Sequence, residues 1–273
     1  MSGIQACPVD GGQLRYELRG QGDPLLVIHG ACGQIEMLAD LAGQLAATHR
    51  VLSYDWRGHG GSTPDATPDV RVHADDAAVL IREVLGAPAT VVGWSYGGDV
   101  AMALALAEPS LVRSLALLEP AYHMVRPNIE LLRLVGKVGY RYLRGEDRAA
   151  AEALGRWAFQ RASGGTAWDE MPENLKDMWL GNTSALKVEM LRPTRHNLTM
   201  DFVPARTIAG IAAPVTFLLG DDSHGALHRV HERLSAALPE METVRMQGAS
   251  HLLPVESPSE VAEAVVAAVT DTA

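Results

Sequence analysis

The sequence is poor in the features that build several kinds of protein. Of its 273 residues only Cys7 and Cys32 are cysteines. They form no C-x-x-C pair and no finger-like spacing, which excludes a disulfide framework or a structural zinc site as the organising feature. No apolar run approaches the roughly 20 residues of a membrane-spanning helix. Met1 to Leu14 lacks a basic start followed by an apolar stretch, so neither a signal peptide nor a membrane partner is expected, and a cytoplasmic, reduced setting is. Cations are outnumbered, 23 Lys and Arg against 33 Asp and Glu, giving a net charge of −10. No basic patch stands out, which argues against a nucleic-acid partner. Repeats and low-complexity segments are missing too. What is present is a 47% hydrophobic, 21% charged chain, long enough for one large domain or a core with an inserted piece.

Over the first 120 residues or so, apolar runs alternate with helical spacing. Gln13 to Arg19 alternates, with Leu14, Tyr16 and Leu18 on one face, and predicts an edge strand of an antiparallel start. Leu25–Ile28, Val51–Asp55, Ala89–Val92 and Ser114–Leu118 are the continuous runs of strands buried on both faces. Between them, Ile35–Ala47, Val72–Leu85 and Asp99–Ala107 read as helices. The pattern predicts an α/β fold, a mostly parallel central sheet with helices on both faces. From Tyr122 to Pro204 the alternation stops, leaving helical stretches that hold Trp157, Trp168, Trp179, Tyr140, Tyr142 and Phe159. Strand and helix then resume: Pro214–Leu219, Leu227–Leu238, Glu242–Met246, and Pro258–Val269 with Ser257 as its N-cap. The expected organisation is a core of residues 1–121 and 205–273, with a helical lid or cap over 122–204. The aromatics of that insertion either face an apolar pocket or pack the insertion's own core.

The chemistry-bearing stretch is Gly93-Trp94-Ser95-Tyr96-Gly97-Gly98. A serine between glycines, after an apolar strand and before a helix, fits the nucleophile elbow G-x-S-x-G. The sharp turn pushes the hydroxyl outward at a helix N-terminus that favours developing negative charge. His29, Ser95 and Glu119 all fall at the carboxyl ends of expected strands, where sites form in parallel sheets.

Four stretches in order, His29-Gly30, Tyr54 to Ser62 (YDWRGHGGS), the Ser95 elbow and Gly248-Ala249-Ser250-His251, make nearly the whole chain resemble the α/β-hydrolase superfamily. The resemblance implies Ser95 as nucleophile and His251, in the loop after the last strand, as its base. It implies backbone N–H groups of Ala31 and Tyr96 as the oxyanion hole, and structural roles for His29 and His59. For the third member the sequence departs from the common pattern. The position three residues after the glycine that ends the strand following the lid is Ser223, which cannot carry a charge. Either Glu119, at the end of the strand before the lid, supplies the carboxylate, or the neighbouring Asp222 or Asp221 does. The Glu119-Pro120 pair with Ser223 downstream resembles a subgroup that includes the zearalenone lactone hydrolases.

The activity this implies is a serine hydrolase that cleaves an ester or lactone through an acyl-enzyme, with no metal or organic cofactor. Its partner would be a small-molecule substrate with an apolar or aromatic moiety, contacted by Cys32, Tyr122, Trp157 and Trp179. The same triad serves carbon–carbon bond hydrolases and cofactor-free perhydrolases, and the fold also carries ligand-binding proteins without catalysis. A serine in place of an aspartate nucleophile speaks against halide or epoxide chemistry.

Overall fold

The computed structural model describes residues 3–63, 65–67, 69–121, 129–191 and 204–270. Eight strands make one sheet: β1 (Ile4–Val9), β2 (Gly12–Arg19), β3 (Asp23–Ile28), β4 (His49–Tyr54), β5 (Ala89–Trp94), β6 (Val112–Leu118), β7 (Val215–Gly220) and β8 (Glu242–Met246). Their spatial order is β1-β2-β4-β3-β5-β6-β7-β8. The β1–β2 and β2–β4 pairs are antiparallel, and the pairs from β4 through to β8 are parallel. The edge place expected for Gln13–Arg19 belongs instead to β1, so that stretch is an inner strand. Pro8 hides β1 in the sequence because it removes a ladder donor, a loss that an outer strand tolerates.

The central strands β3, β5, β6 and β7 are buried along almost their whole length because both faces are covered. Along them alternate residues divide between two core layers: Leu26, Ile28, Val91, Leu115, Leu117, Phe217 and Leu219 on one side, Leu25, Val27, Val92, Ala116, Leu118 and Leu218 on the other. The first layer is roofed by α2 (Val70–Leu80, run on by a π-turn at Ile81–Leu85) and α3 (Tyr96–Ala107), packed together, and by the apolar side of a later helix at Val230 and Leu234. The second is covered by α1 (Ala39–Leu45), entered through a 3₁₀ turn at Ile35–Leu38, and by the C-terminal helix that packs on it. Asp69 caps α2, its carboxylate accepting from the Arg71 N–H at 3.0 Å.

After β6 the described residues of the helical insertion form α4 (Ile129–Leu143), α5 (Asp147–Ala158), α6 (Glu173–Gly181) and α7 (Thr183–Leu191). Their aromatics mostly pack together. Phe159 stacks on Trp168 at 6.5 Å, Trp179 meets both rings edge-on, and Tyr142 is buried, whereas Tyr140 is 61% exposed. After α7, the described chain resumes with α8 (Ala205–Ile208), α9 (Gly225–Ala237), a short turn of helix α10 (Leu253–Glu256) and α11 (Pro258–Thr270). Arg161, just after α5, fastens the helical insertion to the core by pairing with Asp222 and Glu256 as well as Glu170. Among the described residues no helix is long and apolar enough to cross a membrane.

β3 pairs with β4 on one side and β5 on the other. The chain therefore leaves β3 one way and returns the other, and the loops after β3 and β5 part at the carboxyl end of the sheet. That divergence is where parallel sheets open a crevice for ligands.

Candidate active site

Ser95 sits in the turn between β5 and α3 with φ 53° and ψ −124°, outside the regions an L-residue ordinarily occupies. Its N–H donates to Leu118 O at 2.9 Å, and its carbonyl accepts from Gly98 and Ala121, so the surroundings hold the strained turn. The flanking glycines are required by close backbone approach. A Cβ on Gly93 would lie 2.4 Å from Gly97 O, and one on Gly97 would lie 2.4 Å from Ile28 O. Ser95 stands at the N-cap of α3 yet makes no side-chain capping bond. Its hydroxyl instead faces His251, with Oγ 3.0 Å from Nε2.

The other ring nitrogen of His251 lies 2.8 Å from Glu119 Oε2. Nδ1–H therefore donates to the carboxylate, and Nε2 presents its lone pair to the Ser95 hydroxyl. The second oxygen of Glu119 accepts the Gly220 N–H at 2.8 Å, so this fully buried carboxylate is satisfied on both sides. Glu119 also has a positive φ, 47°, as does Cys32 at 55°. The three positive-φ residues other than glycine among the described residues thus fall in the loops after β3, β5 and β6. The His251 backbone carbonyl accepts the Trp94 indole N–H at 2.9 Å, fixing the histidine loop to the elbow.

Asp222 and Asp221 are occupied elsewhere. Asp222 accepts from the N–H and hydroxyl of Ser163 at 2.7 and 2.8 Å, and its carboxyl lies below its usual range, held there by those bonds and Arg161 against the opposing effect of desolvation. Asp221 pairs with Arg245. Ser223 is buried, and its backbone bridges to Arg161.

On the opposite side, Gly30 approaches Ser95 so closely that a Cβ there would lie 3.0 Å from Ser95 Cβ. Ala31 follows it, and Tyr96 opens α3. His29 stacks on Trp56 at 4.5 Å; its Nδ1 lies 2.7 Å from Gly30 O and its Nε2 accepts the Trp56 N–H. Burial holds its pKa well below the usual value, so it is a neutral spacer under the loop. His59 lies 5.6 Å from both the His29 and Trp56 rings, and burial pushes it down to about 4. The Trp56 ring in turn meets Tyr96 edge-on at 5.1 Å.

The residues expected to meet substrate fall in different places. Cys32 is fully buried, and burial pushes its thiol well above the usual value, leaving an inert neutral filler. Trp179 donates its indole N–H to Ala151 O at 3.1 Å within the insertion's own core. Trp157 donates to Glu130 at 3.1 Å and borders a cavity of about 470 Å³ between α4 and α5. Tyr122 lies outside the described residues. Among the described residues, Trp94 and Phe159 flank His251, with ring centroids 5.9 and 5.7 Å from the imidazole. Trp94 lay in the elbow motif itself; nothing in the sequence set Phe159 apart from the insertion's other aromatics.

The model of the alpha/beta hydrolase fold matches residues 23–258. A pimeloyl-[acyl-carrier protein] methyl ester esterase of Chromobacterium violaceum is 39% identical over 113 residues, 41% of this chain and 43% of that protein. The match thus spans about two fifths of that relative's length. Among solved structures, carboxylesterase CesB of Bacillus subtilis superimposes with a TM-score of 0.79 at 20% identity, covering 98% of this chain and 91% of its own. Est816, described as an N-acyl homoserine lactone degrading enzyme, gives 0.78 at 22%, covering 96% and 99%. With its family model matched over most of its length, the chain belongs to the α/β-hydrolase family.

Proposed function

We propose that the protein is a serine hydrolase that cleaves a carboxylic ester or lactone through an acyl-enzyme. The observation that carries this reading is the relay from Ser95 Oγ to His251 Nε2 at 3.0 Å and from His251 Nδ1 to Glu119 Oε2 at 2.8 Å. Ser95 attacks the carbonyl carbon as His251 takes its proton, and Glu119 steadies the imidazolium without itself being protonated. The N–H groups of Ala31 and Tyr96 are the donors assigned to the tetrahedral oxyanion; one such donor is typically worth about 10²–10³ in kcat. His251 then gives its proton to the leaving alcohol, and water, deprotonated by the same histidine, releases the acid.

The ester or lactone class draws support from the methyl ester esterase, carboxylesterase and lactone-degrading relatives. Trp94 and Phe159 beside the imidazole favour an apolar or aromatic acyl or alcohol group. In this reading residues 122–204 form the cap over a core of 1–121 and 205–273. The test is hydrolysis of p-nitrophenyl esters of increasing chain length and of alkyl lactones by the protein and its Ser95→Ala variant. Turnover by the first alone is expected; equal turnover by both would refute the assignment.

A further inference from the structure

Glu189, on α7, is fully buried, and among the described residues neither of its carboxyl oxygens has a hydrogen-bond partner. Unpaired polar groups in a protein interior are uncommon and call for a physical reason. Nε2 of His59 lies 3.7 Å from Oε1 and is likewise buried and without a hydrogen-bond partner among the described residues. The two orphans complement each other in only some protonation states. His59 Nδ1 lies 3.0 Å from Arg57 O and so carries the ring proton, which leaves Nε2 an acceptor. An ionised carboxylate would set acceptor against acceptor, whereas a protonated carboxyl offers the O–H that Nε2 lacks. An ion pair with imidazolium would need two charges in a site that burial makes hostile to both.

The place of this pair gives it consequence. Asn182, seven residues or about two helical turns before Glu189, donates to the carbonyls of Cys32 and Gly33 and accepts from the Gly60 N–H, all at 3.1 Å. The segment 182–189 therefore meets the loops after β3 and β4, and those loops carry Ala31, Trp56 and His59, with the Trp56 ring edge-on to both His59 and Tyr96 of α3. We propose that Glu189 is kept as a neutral carboxylic acid whose O–H engages His59 Nε2, a proton-controlled latch that seats α7 on the loops behind Ser95 and releases it when the proton leaves.

Among the described residues, the other titratable groups that act on this pair are Cys32 from the β3 loop and Tyr142 from α4, on the Glu189 side, and His29 and His73 of α2, on the His59 side; burial keeps all four neutral. Lys187, the cation on the same helix, is paired with Asp147 at 3.0 Å. Burial pushes Glu189 up to about 8. Its pKa is thus raised on folding, and the stabilisation from its proton is full below the ordinary carboxyl value of 4.5 and lost as pH rises to about 8.

The test compares the full-length protein with Glu189→Gln, whose amide N–H can serve His59 but cannot ionise. Thermal melts and amide hydrogen exchange of residues 183–191 are recorded from pH 5 to 9, with the proteins compared at each pH. The melting temperature of the variant relative to the parent should climb by roughly 5 °C or more across that range. Exchange of α7 should be similar at pH 6 and roughly tenfold faster in the parent at pH 9. Glu189→Leu, the second variant, has neither a proton to lose nor a donor, so its α7 should exchange fast at both pH values. A flat difference in melting temperature, or a Gln variant uniformly less stable, would mean an ionised, paired Glu189 and overturn the proposal. A melting shift without faster α7 exchange would overturn the latch. Neither readout uses turnover, so the result stands apart from the ester reading.

Discussion

Glu119 and His251 are 132 residues apart in the chain and 2.8 Å apart in the fold, and Glu119's other oxygen is held by the N–H of Gly220 at the end of β7. One carboxylate thus orients the imidazole and is itself oriented by the strand next door. Glu119→Gln keeps the shape but offers Nδ1–H a weaker, neutral partner, or turns an N–H toward it and favours the wrong tautomer. A loss of about 10³–10⁴ in kcat is expected. Asp222→Asn, which touches Arg161 and Ser163 of the helical insertion, should stay within about tenfold of the parent. Steady-state kinetics on one ester decides between them; the reverse ranking would move the acid to the β7 end.

Gly97→Ala should damage the elbow without touching the triad. The new Cβ would lie 2.4 Å from the Ile28 carbonyl and 2.5 Å from that of His29, backbone atoms that cannot swing aside. A destabilisation of about 1–3 kcal/mol or more is expected from the overpacking. Urea unfolding of the variant measures it, and an unchanged midpoint would contradict the close approach.

Acid should weaken the fold through its buried histidines. Burial lowers His59 to about 4 and His73 to about 3 from 6.5, so the unfolded chain binds more protons in that window. Each histidine therefore costs stability as pH falls below 6.5, with the cost levelling off below its folded value. His73 Nε2 bonds to Thr67 O at 3.1 Å, a contact a glutamine amide can repeat. His73→Gln should flatten the fall in melting temperature between pH 6.5 and 4, and an unchanged slope would mean the ring is not held neutral.

Arg161 joins the insertion to the His251 loop in few steps. It pairs with Glu256, whose other oxygen accepts both the N–H and hydroxyl of Ser250, the neighbour of His251. Arg161→Met keeps most of the packing and removes the charge. A fall of roughly tenfold in kcat/KM is expected, with a loss of about 1–3 kcal/mol in stability. Kinetics and melting together check it.

Much of this was legible in the sequence. The runs of β3, β5, β6 and β7 declared themselves because burial on both faces leaves little polar alternation. The elbow declared itself because Gly93 and Gly97 are fixed by backbone contacts that no other residue allows. Local pattern did not reveal β1, where Pro8 interrupts the strand, or the choice between Glu119 and Asp222, which depends on how two distant loops meet. Glu189 and Asn182 look like ordinary polar helix residues in the sequence, and their burial against His59 and Cys32 comes only from the docking of α7. The insertion's tryptophans read as pocket residues or as core; Trp179 is core, and the aromatics beside the imidazole are Trp94 and Phe159.

The central claim, an activated Ser95, is tested most directly by intact mass and peptide mapping after exposure to a small fluorophosphonate. The relay from Glu119 through His251 predicts one adduct per chain, on Ser95, absent in Ser95→Ala and much slower in His251→Ala. A folded protein that takes no adduct, or takes it on another residue, would contradict the account.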